Sequence, residues 1–420
     1  MIETLLNAWK IPELRKKLVF TLLMFAVFRL GAHVPVPGIN PDALRGMFDA
    51  QWLSLVDIMS GGALKQFTVF AMGIIPYINA SIIIQLLTMV VPYFEKLAKE
   101  GNEGRKKMTQ YTRYGAVGLG FMQAIVMSVY LNNNPGVMMH PGIGPVIVSA
   151  ITLTAGTAFL MWLGELITEH GIGNGISLII FAGIASRLPS GVSTIFSLVK
   201  AGEASWISAA LILVVMLAMV AAVVAVQEGQ RRIPVQYAKR VIGRKVYGGQ
   251  STHIPMKINQ AGVIPIIFAM AIMSFPSLLA GFFPGSSFAV WITTVMAPRH
   301  AAYIIVSSLM IFLFTYFYTA ATFNTSDVAD NMRKNGGFVP GLRPGRPTAE
   351  YLDKVLSRLT FSGATFLTFI ALMPTLFTKL SGISLYFGGT SLLIAVGVAL
   401  DTMKQIESHL LMRHYQGFMK

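Results

Sequence analysis

Three places in this sequence hold residues whose type and spacing bear on chemistry: Glu165, Arg29, and the run Gly171-Ile172-Gly173-Asn174-Gly175-Ile176-Ser177. Alternating glycines permit close backbone approach, and a glycine-rich turn can cradle a phosphate. Here no Lys-Ser/Thr pair follows and no strand precedes, so the run reads as close helix packing or a hinge rather than a nucleotide site. Neither a His-Glu-x-x-His zinc pair nor a Gly-x-Ser-x-Gly elbow occurs. With no cysteine, disulfides, thiolate metal sites and cysteine nucleophiles are excluded. Glu165 lies at the end of an apolar run and reads as a solvated helix end; paired carboxylates of the kind proton-coupled machines use within the membrane are missing. Arg29 sits inside the first apolar run and reads as snorkelling outward. Enzyme activity, a metal and a cofactor are therefore not expected.

The elements that carry these residues follow from composition. Of the 420 residues, 54% are hydrophobic and 12% charged, with a mean hydropathy of +0.63, more apolar surface than a soluble domain can bury. Of the 33 Lys and Arg, 26 fall in five places: Lys10 to Lys17, Lys96 to Arg113, Arg231 to Lys257, Arg333 to Arg358, and Lys404 onward. By the positive-inside rule these face the cytoplasm, so both termini lie inside and the chain crosses an even number of times. Arg45, Lys65, Arg187, Lys200, Arg299 and Lys379 fall outside. A hydrocarbon core of about 30 Å needs roughly 20 apolar residues per helix. Ten spans are predicted, near 18–32, 73–92, 113–131, 146–166, 174–188, 206–226, 258–281, 302–323, 360–378 and 384–400. Apolar blocks of this length indicate an all-α polytopic membrane protein, not a barrel of alternating strands. Arg29 interrupts the first run and His33-Val34-Pro35-Val36-Pro37-Gly38 follows it, so that run is expected to stay as a span rather than be cleaved as a signal.

Two stretches depart from plain spans. The run from Leu53 to Pro92 is too long for one helix, and Asp57, Ser60, Gly61, Gly62, Lys65 and Gln66 make its first part too polar to face lipid. Gly73 and Pro76 mark a break. Taken alone, this is either an outer loop or a half-helix held inside a cavity. The hydrophilic gaps 227–257 and 324–359 are long for connectors and rich in Arg and Lys, with turn formers Pro340, Gly341, Pro344 and Gly345 around Arg343. Such loops suit anionic lipid, RNA phosphates or an acidic protein surface.

The order of short strings across the chain resembles the SecY family of protein-conducting channels. They include Val34-Pro35-Val36-Pro37-Gly38, Ser60-Gly61-Gly62-Ala63-Leu64, Pro76-Tyr77-Ile78, Ser81 to Leu87, Gln110 to Gly115, Met161 to Glu165, the Gly171 to Ser177 run, Gln250-Ser251-Thr252-His253, Phe338 to Gly345 and Tyr386 to Ser391. The resemblance implies an hourglass channel of two pseudo-symmetric inverted five-span halves, residues 1–200 and 201–420. It makes residues 57–71 a plug, carried by Asp57, Ser60, Gly61, Gly62, Ala63 and Leu64. It assigns a constriction ring to Ile74, Ile78, Ile176, Ile180, Ile267 and Ile394, and places Asn79 and Phe275 at a lateral gate between spans two and three and spans seven and eight. Arg244, Lys245 and Arg343 match positions that dock the SecA motor and the ribosome, through ribosomal RNA and proteins. Where the family often carries two arginines this chain has Arg244-Lys245, and lysine does not reproduce a bidentate arginine contact.

The same resemblance implies the partners SecE and SecG, signal sequences and nascent polypeptides as cargo, and a bacterial inner-membrane location. An aliphatic ring has no hydrogen-bonding groups, so water leaves it and ions meet a desolvation barrier. Asn79 and Gln85 are expected to hold the gate shut through interhelical hydrogen bonds of about 0.6 kcal/mol each. A secondary transporter would instead carry a polar midplane site, where this sequence has apolar residues.

Overall fold

The computed structural model describes residues 6, 8–40, 43, 61–64, 66–134, 136–202, 205–237, 240–242, 245–247, 251–282, 286–296, 300–381 and 389–417. In chain order the helices are α1 (Pro12–Gly31), α2 (Ile75–Val90), α3 (Pro92–Lys99), α4 (Asn102–Asn132), α5 (Ile143–His170), α6 (Gly175–Ala185), α7 (Leu188–Lys200) and α8 (Trp206–Glu228). Strands β1 (Gln230–Tyr237), β2 (Arg240–Ile242), β3 (Lys245–Tyr247) and β4 (Ser251–Lys257) follow. Then come α9 (Ile264–Phe282), α10 (Ser287–Val295), α11 (Ala301–Thr322), α12 (Thr325–Lys334), β5 (Gly337–Phe338), α13 (Arg346–Ser381) and α14 (Gly389–Gly417).

Among the described residues, six helical stretches are long and apolar enough to cross a membrane: Asn102–Asn132, Ile143–His170, Gly175–Ser197, Trp206–Glu228, Ala301–Lys334 and Arg346–Pro374. The pair α2–α3 makes a seventh, with 99° between its two parts. Pro92 explains the corner, because it fixes its own φ, disfavours helix at Val91 and opens α3. α1, α9 and α14 coincide with the first, seventh and tenth expected spans, but their described residues do not reach that length and apolarity.

Packing of the first half is set by small residues. On α4 the buried positions Thr112, Ala116, Gly120, Ala124 and Ser128 recur every four residues, a stripe that lets α2 and α5 approach closely. On α5 and α6 the approach is tighter still. A Cβ on Gly175 would stand 1.9 Å from the Gly164 carbonyl oxygen, so only glycine fits there. Across the chain, α9 lies against α2 and α4, while α14 lies against α6.

The two long hydrophilic gaps are not irregular. β1 pairs antiparallel with β4, Gln230 opposite Lys257 through Gln236 opposite Ser251, and β5 adds to the far end of β1 at Gln236–Phe338 and Tyr237–Gly337. Ile233 and Val235 point to one face of β1 and bury against Met256, Met332, Val339, Leu352, Val355 and Leu356. Both gaps therefore build one small folded unit with its own core. The helical expectation holds for the apolar blocks; the strands arise where backbone outside lipid has no requirement to be helical.

Candidate functional site

At the end of the molecule away from the strand unit, residues 61–64 and 66–74 run in turns over the ends of α1 and α6. Gly61 (φ 69°) and Gly62 (φ 96°) take left-handed conformations natural to glycine, and so does Phe67 (φ 43°), which is not. Its neighbours over-determine it: Phe67 N–H donates to Leu64 O (3.0 Å) and its carbonyl accepts from Val36 N–H (3.0 Å), while Val69 N–H donates to Val34 O (2.9 Å). Ala63, Leu64 and Phe67 are at most 1% exposed. Phe70 stacks between Phe28 and Phe159, and Gly156 leaves room for the Val69 carbonyl, which a Cβ there would meet at 1.9 Å. Of the residues expected in the plug, Gly61, Gly62, Ala63 and Leu64 lie in this seat; Asp57 and Ser60 fall outside the described residues.

Arg29 does not snorkel. Its Nη1 donates to Gly61 O at 3.0 Å and to Ser186 Oγ at 3.2 Å, so the guanidinium ties α1 to the turn above it and to the end of α6. Arg187 stands beside it, its Nη2 3.0 Å from where a Gly62 Cβ would lie. Sequence reasoning passed over this contact, although an arginine placed inside an apolar run is itself a signal that a partner waits for it.

Below the seat lies the main apolar cluster. Ile74 (3% exposed), Ile78 (9%), Ile180 (3%) and Ile394 (4%) are buried in it together with Ala63 of the turn segment, and Ile176 and Ile267 pack against it, partly buried. The six isoleucines come from the N-terminus of α2, from α6, α9 and α14, so the fold draws them from four helices into one apolar region. The i, i+4 pairs Ile74–Ile78 and Ile176–Ile180 each share a helix face.

Asn79 is 3% exposed on α2, but neither its Nδ2 nor its Oδ1 has a hydrogen-bond partner. The expected interhelical bond from Asn79 is therefore absent, and the amide is instead a buried group left unsatisfied, a state that costs about 1–3 kcal/mol. Phe275 lies within α9.

At the opposite, basic end, Arg343 is exposed in a turn fixed by Leu342 N–H to Val339 O (3.0 Å), by Thr348 Oγ1 donating to Arg343 O (2.9 Å), and by Gly341 and Gly345 at positive φ. Lys245 opens β3, and Arg244 falls outside the described residues. Glu165 is not a solvated end: it is 18% exposed and accepts from Arg113 Nε at 2.7 Å, joining α5 to α4. The Gly171 to Ser177 run packs rather than binds. Asn174 Oδ1 caps α6 at Ser177 N–H, Thr168 Oγ1 accepts from Gly175 N–H, and Thr21 Oγ1 accepts from Ile172 N–H.

The family model named SecY matches residues 68–403. The chain is 49% identical over 431 residues to the protein translocase subunit SecY of Halalkalibacterium halodurans, each chain covered in full. Its fold is similar to a solved protein-conducting channel, with a TM-score of 0.65 at 18% identity over 96% of both chains. It is also similar to Sec61 in the canine ribosome–channel complex from the endoplasmic reticulum, with a TM-score of 0.64 at 18% identity over 96% of both chains.

Proposed function

The chain belongs to the SecY family, and from that premise we propose that it is the channel subunit of a bacterial protein translocase. It passes unfolded secretory polypeptides across the cytoplasmic membrane and releases apolar helices sideways into lipid. The observation that carries the reading is the convergence of six isoleucines from four helices in one apolar region beneath a buried turn segment. In this reading residues 1–200 and 201–420 form the two halves, and the isoleucines are the waist. Lacking hydrogen-bonding groups, that waist sheds water and resists ions, and a passing polypeptide fills it as a gasket. Residues 57–71 are the plug, seated by Arg29 and by burial of Ala63 and Leu64. α9 against α2 and α4 is the lateral gate, bearing Phe275 and Asn79.

The channel is passive, and the work comes from SecA or the ribosome, docked at Arg244, Lys245 and Arg343 on the cytoplasmic side. SecE clamps the halves and SecG binds peripherally. Both termini are cytoplasmic, in keeping with the basic segments that flank the spans.

The test is a photo-crosslinking amino acid at Ile180, in membranes holding the motor, ATP and a precursor stalled by a folded tail. A crosslink to the precursor that requires ATP and the signal sequence is expected. Absence of that crosslink while export proceeds, with a lipid-facing control position still reacting, would overturn the waist assignment.

A further inference from the structure

At the basic end, a cavity of about 430 Å³ lies between the start of β1 and α13, lined by Arg231, Tyr351, Lys354, Val355, Arg358, Leu359 and Ser362. The six lining residues of α13 recur at 351, 354, 355, 358, 359 and 362, the spacing of a single helix face. Lys354 and Arg358 stand one turn apart on it, and Arg231 closes the cavity from the strand side, three residues beyond the end of α8. All three cations are exposed and form no ion pair among the described residues, and no acidic side chain lines the cavity. Elsewhere on the same helix, Arg346 pairs with Glu350 at 3.0 Å. Charge at this cavity is therefore concentrated and uncompensated, against an apolar floor of Val355 and Leu359.

We propose that this cavity binds the headgroup of an anionic phospholipid, with the acyl chains following α13 past Leu359. Three arguments select that ligand. Convergent cations without carboxylates call for an anion. The apolar floor calls for a ligand that is itself apolar beyond its charge, which a free phosphate or an RNA backbone is not. Arg231 lies three residues beyond the end of the membrane-crossing stretch Trp206–Glu228, and Arg358 stands just before the uncharged run of α13 from Leu359 to Pro374, which sets the cavity at headgroup height. The mouth of the cavity thus opens where headgroups meet acyl chains.

The inference concerns lipid occupancy and stands apart from polypeptide transport. The test is native mass spectrometry of the purified full chain titrated with phosphatidylglycerol, with phosphatidylcholine of the same chains, and with glycerol 3-phosphate. Each cation near an anionic headgroup is worth a factor of about five. The triple variant Arg231→Gln, Lys354→Gln, Arg358→Gln is expected to bind phosphatidylglycerol on the order of 100-fold more weakly, Arg358→Gln alone about fivefold, and Arg346→Gln as the unaltered chain does. Leu359→Gln is expected to weaken phosphatidylglycerol binding. Equal binding of phosphatidylcholine, or of phosphatidylglycerol by the triple variant, would overturn the proposal. So would glycerol 3-phosphate, or an RNA oligonucleotide, binding at these cations as tightly as the lipid.

Discussion

Replacing Arg29 by alanine removes the 3.0 Å bond that ties the turn at Gly61 to α1 and the 3.2 Å bond to Ser186 Oγ that holds the guanidinium against α6, and leaves the apolar seat of the turn intact. A hydrogen bond from a charged donor contributes about 1.5–3 kcal/mol when fully buried. Arg29 is only half-buried, and water takes over part of the loss, so about 1.5 kcal/mol is a fair sum for the pair. That shifts the ratio of displaced to seated plug about tenfold. Ala63 and Leu64 stay at 0% and 1% exposure beneath it, so the plug remains mostly seated and transport continues. The assay is ion flux through proteoliposomes holding the purified channel, where resting conductance is expected to rise about tenfold. Ser186→Ala removes only the longer bond, and Ser186 Oγ also donates to Gly183 O, so its effect is smaller, about two- to threefold. Resting conductance unchanged in Arg29→Ala, with the variant folded and inserted, refutes the latch.

Two further outcomes follow from the gate and the basic turn. Asn79→Leu replaces a buried, unsatisfied amide by an apolar group of similar size, so thermal stability is expected to rise by about 1–3 kcal/mol. In the proposed reading Asn79 lies at the lateral gate, so export of precursors with weakly apolar signals is expected to fall; unchanged stability would show that the amide finds partners in the membrane. Arg343→Glu reverses an exposed charge in a turn whose backbone bonds do not involve its side chain, so the protein is expected to accumulate normally while export stops. Normal precursor translocation in that variant would remove Arg343 from the docking surface.

The apolar spans were legible because lipid imposes a long-run rule on composition: a stretch such as Trp206–Glu228 has little choice of fate. The turn around Arg343 was legible for a similar reason, since Pro340, Gly341, Pro344 and Gly345 each restrict the backbone. The strand unit was not. β1 shows only two buried positions, Ile233 and Val235, astride Pro234, too short an alternation to read and broken by a residue that argues against a strand. Arg29 was misread because its partners, Gly61 and Ser186, lie 32 and 157 residues away, and a single sequence carries no record of such pairings. Glu165 was misread likewise, its partner Arg113 lying 52 residues distant. The four-residue stripe from Thr112 to Ser128 was present as a pattern and could have been read as a helix contact. The six isoleucines proposed for the waist are individually unremarkable in the sequence, and only the resemblance sets them apart.

The sheet that joins the two hydrophilic gaps has a mechanical consequence. β1 leaves α8 and β4 leads to α9, while α12 leaves α11 and β5 leads to α13; all of these segments share one buried core. Four helix ends are thus gripped by a single stiff handle. A force applied anywhere on that handle is divided among the four helices, which tilt in concert and resist being pulled one at a time. Compliance is left to the contacts of α9 with α2 and α4 and of α14 with α6. In the proposed reading, a partner pressing on the basic end moves these four helices together, against those same contacts.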